Sequence, residues 1–180
     1  MKNKKKIKIF ICATEQSGDN IGEKIIDHLK KKYPEIYLDG VGGVKISKFC
    51  NKIFYSLRDF KSIGIIEIFS SLKKYLNMIN NLSKTIILNN YDIVITIDSP
   101  DFNYRLAKKI KKDSYKGKII HIVAPTVWAW RSGRAVKFSK VYDKLLTIFP
   151  FESQYFLKYN LDTTFIGHPI YYINNHIFYI

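Results

Sequence analysis

The residues of this chain that could bind a ligand or react are collected in short segments, each directly after an apolar run. Thr14-Glu15-Gln16-Ser17-Gly18-Asp19 follows Ile7–Ala13, and Asp98-Ser99-Pro100-Asp101-Phe102-Asn103 follows Ile93–Ile97. Ala124–Arg134, Pro150–Glu152 and Gly167–Pro169 occupy equivalent places further on. A carboxylate such as Asp98, at the end of an apolar strand, is drawn partly out of water, which suits a general base. The Glu15–Asp19 segment opens a helix, where free amides and the helix dipole favour an anion such as phosphate. Gly18 allows close backbone approach to a ligand. The plain alternative is that Ser17 or Asp19 is an N-cap. Asp101 reads chiefly as the cap of the next helix, and Pro100 as a rigid turn. Asn103 is either a sugar contact or a tie within its loop. Trp128 and Trp130 are the only tryptophans. In an extended segment their rings share one side, where they stack on a sugar, line an acyl chain or anchor the loop on the core. Arg131 and Arg134 follow directly and suit a phosphate.

Several chemistries find no support. His28 and His121 have no partners at ligand spacing, His168 reads as structural, and Asp98 and Asp101 do not form a D-x-D pair, so no metal site is expected. There is no G-x-G-x-x-G dinucleotide fingerprint and no G-x-S-x-G around Ser17, and no cofactor is expected. Cys12 and Cys50 form no metal or redox pair by spacing, which favours a reducing compartment. No apolar run approaches the ~18 residues of a membrane span, and the basic start lacks the pattern of a signal peptide. The net charge is +15 with a pI of about 9.7. That charge raises a nucleic-acid partner or an anionic membrane. Only Arg58, Arg105, Arg131 and Arg134 among the 30 cations are arginine. Lysine is the poorer residue for bidentate phosphate recognition, and its runs fall on polar helix faces or helix ends. The charge therefore reads as compositional, with no nucleic-acid partner and a weak attraction to anionic lipid.

Positioning these segments requires strands and helices in alternation. Apolar residues predict strands at Ile7–Ala13, Ile36–Leu38, Asp92–Ile97, Lys118–Val123, Leu145–Ile148 and Thr164–Ile166. Helical spacing predicts helices over Asp19–Tyr33, from Ile65 to Ile86, around Leu106 and Ile110, around Ala135 and Phe138, and over Glu152–Tyr159. Such alternation specifies parallel βαβ units with helices on both faces of one sheet. Ligands of such sheets bind outside the carboxyl ends of the strands, where the reactive segments lie.

Taken together, Glu15-x-Ser17-Gly18-Asp19, Gly40-Val41-Gly42-Gly43, Gly64-x-x-Glu67, Asp98-x-Pro100-Asp101-Phe102-Asn103, Pro125-Thr126-Val127-Trp128-Ala129-Trp130-Arg131-x-Gly133-Arg134, Phe149-Pro150-Phe151-Glu152 and Gly167-His168-Pro169 resemble the lipid-A-disaccharide synthases, in order and approximate spacing. The resemblance implies a Rossmann-like parallel sheet forming the N-terminal half of a GT-B glycosyltransferase. It implies condensation of UDP-2,3-diacylglucosamine with 2,3-diacylglucosamine 1-phosphate, without metal, to give the lipid A disaccharide 1-phosphate and UDP. Asp98 matches the catalytic base. Glu15, Ser17, Gly18, Asp19, Asn103, Trp128, Trp130 and Arg131 match substrate-binding stretches. The helix near Ile65, Ile66, Phe69 and Leu72 matches a region that touches the membrane, which implies a cytoplasmic protein peripheral on the inner membrane. Residues 1–169 are expected to form the acceptor-binding domain and 170–180 a divergent tail left by truncation or a frameshift. The UDP-sugar domain is expected to be absent and supplied, if at all, by a second chain. The alternative is a non-catalytic remnant that binds lipid at the membrane surface. Where the family usually carries Gly and a small residue, this chain has Thr14 and Gln16.

Overall fold

The computed structural model describes residues 6–61, 68–127 and 133–168. Seven strands form one parallel sheet in the order β3-β2-β1-β4-β5-β6-β7. In chain order they are β1 (Lys8–Ala13), β2 (Tyr37–Gly42), β3 (Lys52–Ser56), β4 (Ile93–Ile97), β5 (Lys118–Ile122), β6 (Lys144–Thr147) and β7 (Asp162–Phe165). The helices are α1 (Gln16–Lys32), α2 (Val44–Ser47), α3 (Leu57–Lys61), α4 (Ile68–Leu88), α5 (Pro100–Lys112), α6 (Gly133–Ser139) and α7 (Gln154–Leu157).

The two-residue period of β1 decides the layers. Ile9, Ile11 and Ala13 point to one face and pack with Ile26 of α1 and Ile46 of α2. Phe10 and Cys12 point to the other and pack with Leu82 of α4, Leu106 and Ile110 of α5, Phe138 of α6 and Phe156 of α7. With both faces covered, the sheet is the Rossmann-like α/β architecture expected from the alternation.

Three differences from the expectation have physical reasons. Strand β3 and the short helices α2 and α3 escape hydrophobic periodicity because they span only four or five residues each. Strand β2 runs on through Gly40, Val41 and Gly42, beyond the expected end at Leu38. A Cβ on Gly40 would meet the carbonyl oxygen of Ile11 on β1, so the strands approach closely only because this residue has no side chain. Helix α1 begins at Gln16 with Glu15 as N-cap, so neither Ser17 nor Asp19 is the cap.

The lysine runs lie where the solvated reading places them. Lys30, Lys31 and Lys32 form the last turn of α1, and Lys109, Lys111 and Lys112 that of α5, where cations oppose the negative dipole end. Among the described residues, no helix is long and apolar enough to cross a membrane.

The sheet order places the site. From β1 the chain winds one way through β2 and β3, then returns to place β4 against the other side of β1. The ends of β1 and β4 are adjacent, with Ala13 opposite Ile97. This reversal opens a crevice at their carboxyl ends, between the segments that begin at Thr14 and Asp98.

Candidate functional site

The segment after β4 begins with an unusual backbone. Asp98 and Ser99 both have left-handed conformations, at φ 54° and 43°, which cost a residue with a side chain about 1–3 kcal/mol each. Several bonds hold the turn. The Asp98 amide donates to the Ile122 carbonyl of β5 at 2.9 Å. The Asn103 side-chain amide donates to the carbonyls of Ile97 at 3.1 Å and Asp98 at 2.7 Å. Asn103 is fully buried, so of the two roles open to it the structure shows the tie within the loop. Pro100 takes the first position of α5, with Ser99 as N-cap. Asp101 is therefore not the cap; its carboxylate instead accepts from Arg134 at 2.9 Å.

The Asp98 carboxylate is half-buried and oriented on both sides. Its Oδ1 accepts from the Ser99 amide at 2.9 Å. Its Oδ2 accepts from the Ser17 hydroxyl at 2.5 Å. The Ser99 hydroxyl donates to Glu15 Oε1 at 2.7 Å. Ser17, in the first turn of α1, and Ser99, ahead of α5, thus tie the two loops through two carboxylates. Both acids stand at helix N-termini, where the dipole favours negative charge. Each oxygen of Asp98 spends one lone pair on these bonds and keeps another for a substrate proton.

Beside this network lies a cavity of about 480 Å³, within the ~300–1,000 Å³ typical of small-molecule sites. Glu15, Gln16, Ser99 and Asp101 supply its polar rim, and Leu57, Phe60, Tyr75 and Phe102 its apolar wall. The rings of Phe60 and Tyr75 meet Phe102 edge-on at 5.1 and 4.8 Å. Burial pushes the Tyr75 hydroxyl up, so it stays protonated and can donate. The cavity is therefore amphipathic, suited to a ligand with hydroxyls at one end and hydrocarbon at the other. Asp98 and Ser17 are not among its lining residues, although their chain neighbours Ser99 and Gln16 are.

The structure draws Glu15, Ser17, Asp98 and Asn103 together and separates two other expected site residues from them. Asp19 is 1% exposed. Its carboxylate accepts from the amides of Gly43 at 2.8 Å, Ile46 at 3.0 Å and Lys45 at 3.1 Å. It therefore caps α2 rather than reaching for a ligand. Gly18 is buried, and a Cβ there would stand 3.0 Å from the Ile97 carbonyl oxygen and 3.1 Å from Ala13 Cβ. Its lack of a side chain lets α1 pack on β1 and β4. Trp128, Trp130 and Arg131 lie outside the described residues. Thr14 and Gln16 have no left-handed backbone, so a side chain at either place is accommodated without strain.

Ser99 and the apolar wall were not expected. Ser99 is an ordinary loop residue until the left-handed turn aims its hydroxyl at Glu15. Leu57 and Phe60 belong to the short α3, which periodicity passed over. Elsewhere on the carboxyl side, Glu152 is 1% exposed and accepts from the amides of Ile148 at 3.1 Å and Phe149 at 3.0 Å. Burial raises its carboxyl, and these bonds oppose the rise. The role is closure of the β6–α7 turn. His168 packs against Phe149 with ring centroids 5.7 Å apart. No cluster of three or more His, Cys, Asp or Glu able to hold a metal occurs among the described residues.

Comparison with known proteins gives a consistent set of similarities. The family model described as lipid-A-disaccharide synthetase matches residues 9–176, running past Pro169. A lipid-A-disaccharide synthase from Rickettsia canadensis (strain McKiel) is 44% identical over 164 residues, covering 91% of this chain and 42% of the relative. One from Rickettsia typhi (strain ATCC VR-144 / Wilmington) is also 44% identical, with 43% of its length covered. One from Chlamydia muridarum (strain MoPn / Nigg) is 41% identical over 163 residues, 89% of this chain and 26% of the relative. The chain thus spans well under half the length of these curated relatives. Among solved structures, a UDP-N-acetylglucosamine 2-epimerase superposes with a TM-score of 0.56 at 15% identity, over 91% of this chain and 48% of that one. That likeness is one of fold.

Proposed function

The chain belongs to the lipid-A-disaccharide synthetase family, and from that premise we propose that its domain is the acceptor-binding half of a glycosyltransferase of lipid A biosynthesis. The observation that supports this reading most directly is the Glu15–Ser99 and Ser17–Asp98 network beside an amphipathic cavity. In the proposed reaction, the 6-hydroxyl of 2,3-diacylglucosamine 1-phosphate attacks the anomeric carbon of UDP-2,3-diacylglucosamine. The carbon–oxygen bond to the diphosphate breaks, its electron pair leaves with UDP, and the hydroxyl proton passes to Asp98. Ser17 and the Ser99 amide hold the Asp98 carboxylate in one orientation, so that little reorganisation is needed as the proton moves. Glu15 orients Ser99, whose carrier segment lines the cavity.

The acceptor's sugar is assigned to the polar rim and the start of an acyl chain to Leu57, Phe60, Tyr75 and Phe102. The UDP-sugar site falls to the part of the relatives' length that this chain does not span. A peripheral contact with the cytoplasmic face of the inner membrane is part of the same proposal. Leu72 and Leu76, one helical turn apart on α4, are 50% and 43% exposed, next to the exposed Lys73 and Lys74. Apolar side chains framed by cations suit an anionic bilayer surface. Ile65 and Ile66, read with them, lie outside the described residues, as does the Phe69 side chain.

Equilibrium titration tests the reading. The chain is expected to bind 2,3-diacylglucosamine 1-phosphate saturably in detergent micelles and to leave UDP unbound. Saturable UDP binding without lipid binding would overturn it. When a relative's remaining portion is supplied, disaccharide is expected to form. Asp98→Asn should then lower turnover by about 10²-fold or more, the usual contribution of a general base, with lipid affinity little changed. Lipid binding without turnover in any such assembly favours the non-catalytic alternative instead.

A further inference from the structure

A second cavity, of about 560 Å³, lies between α5 and α6. Its charge is one-sided. Arg105 and Lys108, three residues apart on α5, and Arg134 and Lys137, three apart on α6, all line it. Side chains at that spacing share a helix face, so each helix contributes a pair of cations to the lining. Among the described residues of the lining Asp101 is the one carboxylate, and it is already committed to Arg134 at 2.9 Å. That bond orients the guanidinium, which is 17% exposed while Asp101 is 76% exposed. The rings of Tyr104 and Phe138 stack at 5.7 Å and 10° behind the cations, backing the cavity with a rigid surface. Gly133, also in the lining, has no atom of the described residues within 4 Å of where a Cβ would stand.

We infer that this cavity is a phosphomonoester site, and that it takes the anionic end of the ligand whose sugar lies in the neighbouring cavity. A phosphomonoester carries roughly −1.5 to −2 charges and three acceptor oxygens at neutral pH. It can therefore engage a guanidinium fork and ammonium groups at once. A carboxylate brings one charge and leaves most of the surrounding cations unmatched. The two cavities share Pro100 and Asp101 as a common wall, so a single sugar phosphate can reach around the first turn of α5 with one end in each. The inference rests on the acceptor reading above and adds to it the residues that recognise the phosphate.

The test is calorimetric titration of the full chain in zwitterionic micelles at 0.15 M salt. Three probes are used: 2,3-diacylglucosamine 1-phosphate, the same lipid without its phosphate, and inorganic phosphate. For the wild-type chain, removing the phosphate is expected to weaken binding about tenfold to a hundredfold, as loss of charge-assisted bonds does. The Arg105→Gln, Lys137→Gln double variant should weaken the phosphorylated lipid to a similar degree and leave the other lipid's affinity in place. Inorganic phosphate should compete with the phosphorylated lipid in the wild type and cease to compete in the variant. Both substituted residues are exposed, and the wild-type comparison of the two lipids stands independently of how the variant folds. Equal affinity of the wild type for both lipids overturns the inference and leaves the acceptor reading in place. So does a variant that binds the phosphorylated lipid as the wild type does. Failure of both lipids to bind overturns the acceptor reading and this inference together.

Discussion

Asp19 and Asp98 are aspartates in segments that follow strands, yet their surroundings give them opposite tasks. Asp19 is enclosed, and each oxygen is met by backbone amides of the β2–α2 junction. Asp98 is half-buried, receives one amide and one hydroxyl, and keeps part of its surface open. Replacing Asp19 with Ala leaves the amides of Gly43, Lys45 and Ile46 without their acceptor. Hydrogen bonds to charged groups are worth more than neutral ones, and caps alone contribute about 1 kcal/mol. The Asp19→Ala chain should lose roughly 2–4 kcal/mol of unfolding free energy, measured by urea titration. If Asp19 instead contacted the ligand, the same variant would keep its stability and lose lipid affinity. Ser17 and Ser99 show the reverse case, in which short side chains with little individual signature become important by orienting carboxylates.

Elements that announce themselves by repeating pattern were legible, and those too short to repeat were not. Helix α5 buries Phe102, Asn103, Leu106, Ala107 and Ile110, a spacing that a helical period detects. Strand β1 alternates between two cores. Strand β3 and helix α3, at five residues each, are too short to establish a period against their surroundings, and α3 carries Leu57 and Phe60 to the cavity. The strand was expected to end at Leu38, whereas the sheet uses Gly40 beyond it to draw β2 against β1. Gly40→Ala would drive a methyl group into the Ile11 carbonyl. Backbone cannot rotate aside as a side chain can, so this substitution should cost about 3 kcal/mol. A chemical-denaturation midpoint equal to that of the wild type would show that β1 and β2 can separate without penalty.

At the scale of the whole molecule, His121 is a buried titratable group whose ionisation bears on the stability of the entire fold. His121 on β5 is fully buried between Phe138 and Tyr142, with Nδ1 2.7 Å from the Thr96 hydroxyl on β4. Burial pushes its imidazole down from 6.5 to about 3. Between those values the unfolded chain binds a proton that the native chain does not. Stability from this group is therefore complete above about pH 6.5 and lost as the pH falls toward 3, at up to about 1.4 kcal/mol per unit. Wild-type chain should lose about 2 kcal/mol from this source between pH 7 and pH 5. The His121→Phe variant should lose that much less over the same interval in parallel urea titrations. An unchanged pH slope in the variant would remove His121 from the account.

Composition and pattern by themselves determined the α/β class, the parallel sheet and the end of the sheet at which the candidate site lies. Those follow from local periodicity and from the rule that ligands meet parallel strands at their carboxyl ends. The ordered motifs from Glu15 to Pro169, above all those around Asp98 and Trp128, carried the family resemblance. Only the tertiary structure decided which residues of each motif open onto the crevice and which turn inward. It turned Asp19 and Gly18 inward, joined Ser17 to Asp98 across 81 positions of sequence, and brought α3, α4 and α5 together around an amphipathic cavity. It also brought the cations of α5 and those of α6 to the lining of one cavity. Linear spacing reports which residues share one face of one element. Which element that face meets is settled by how the strands order themselves and by how closely their helices can pack.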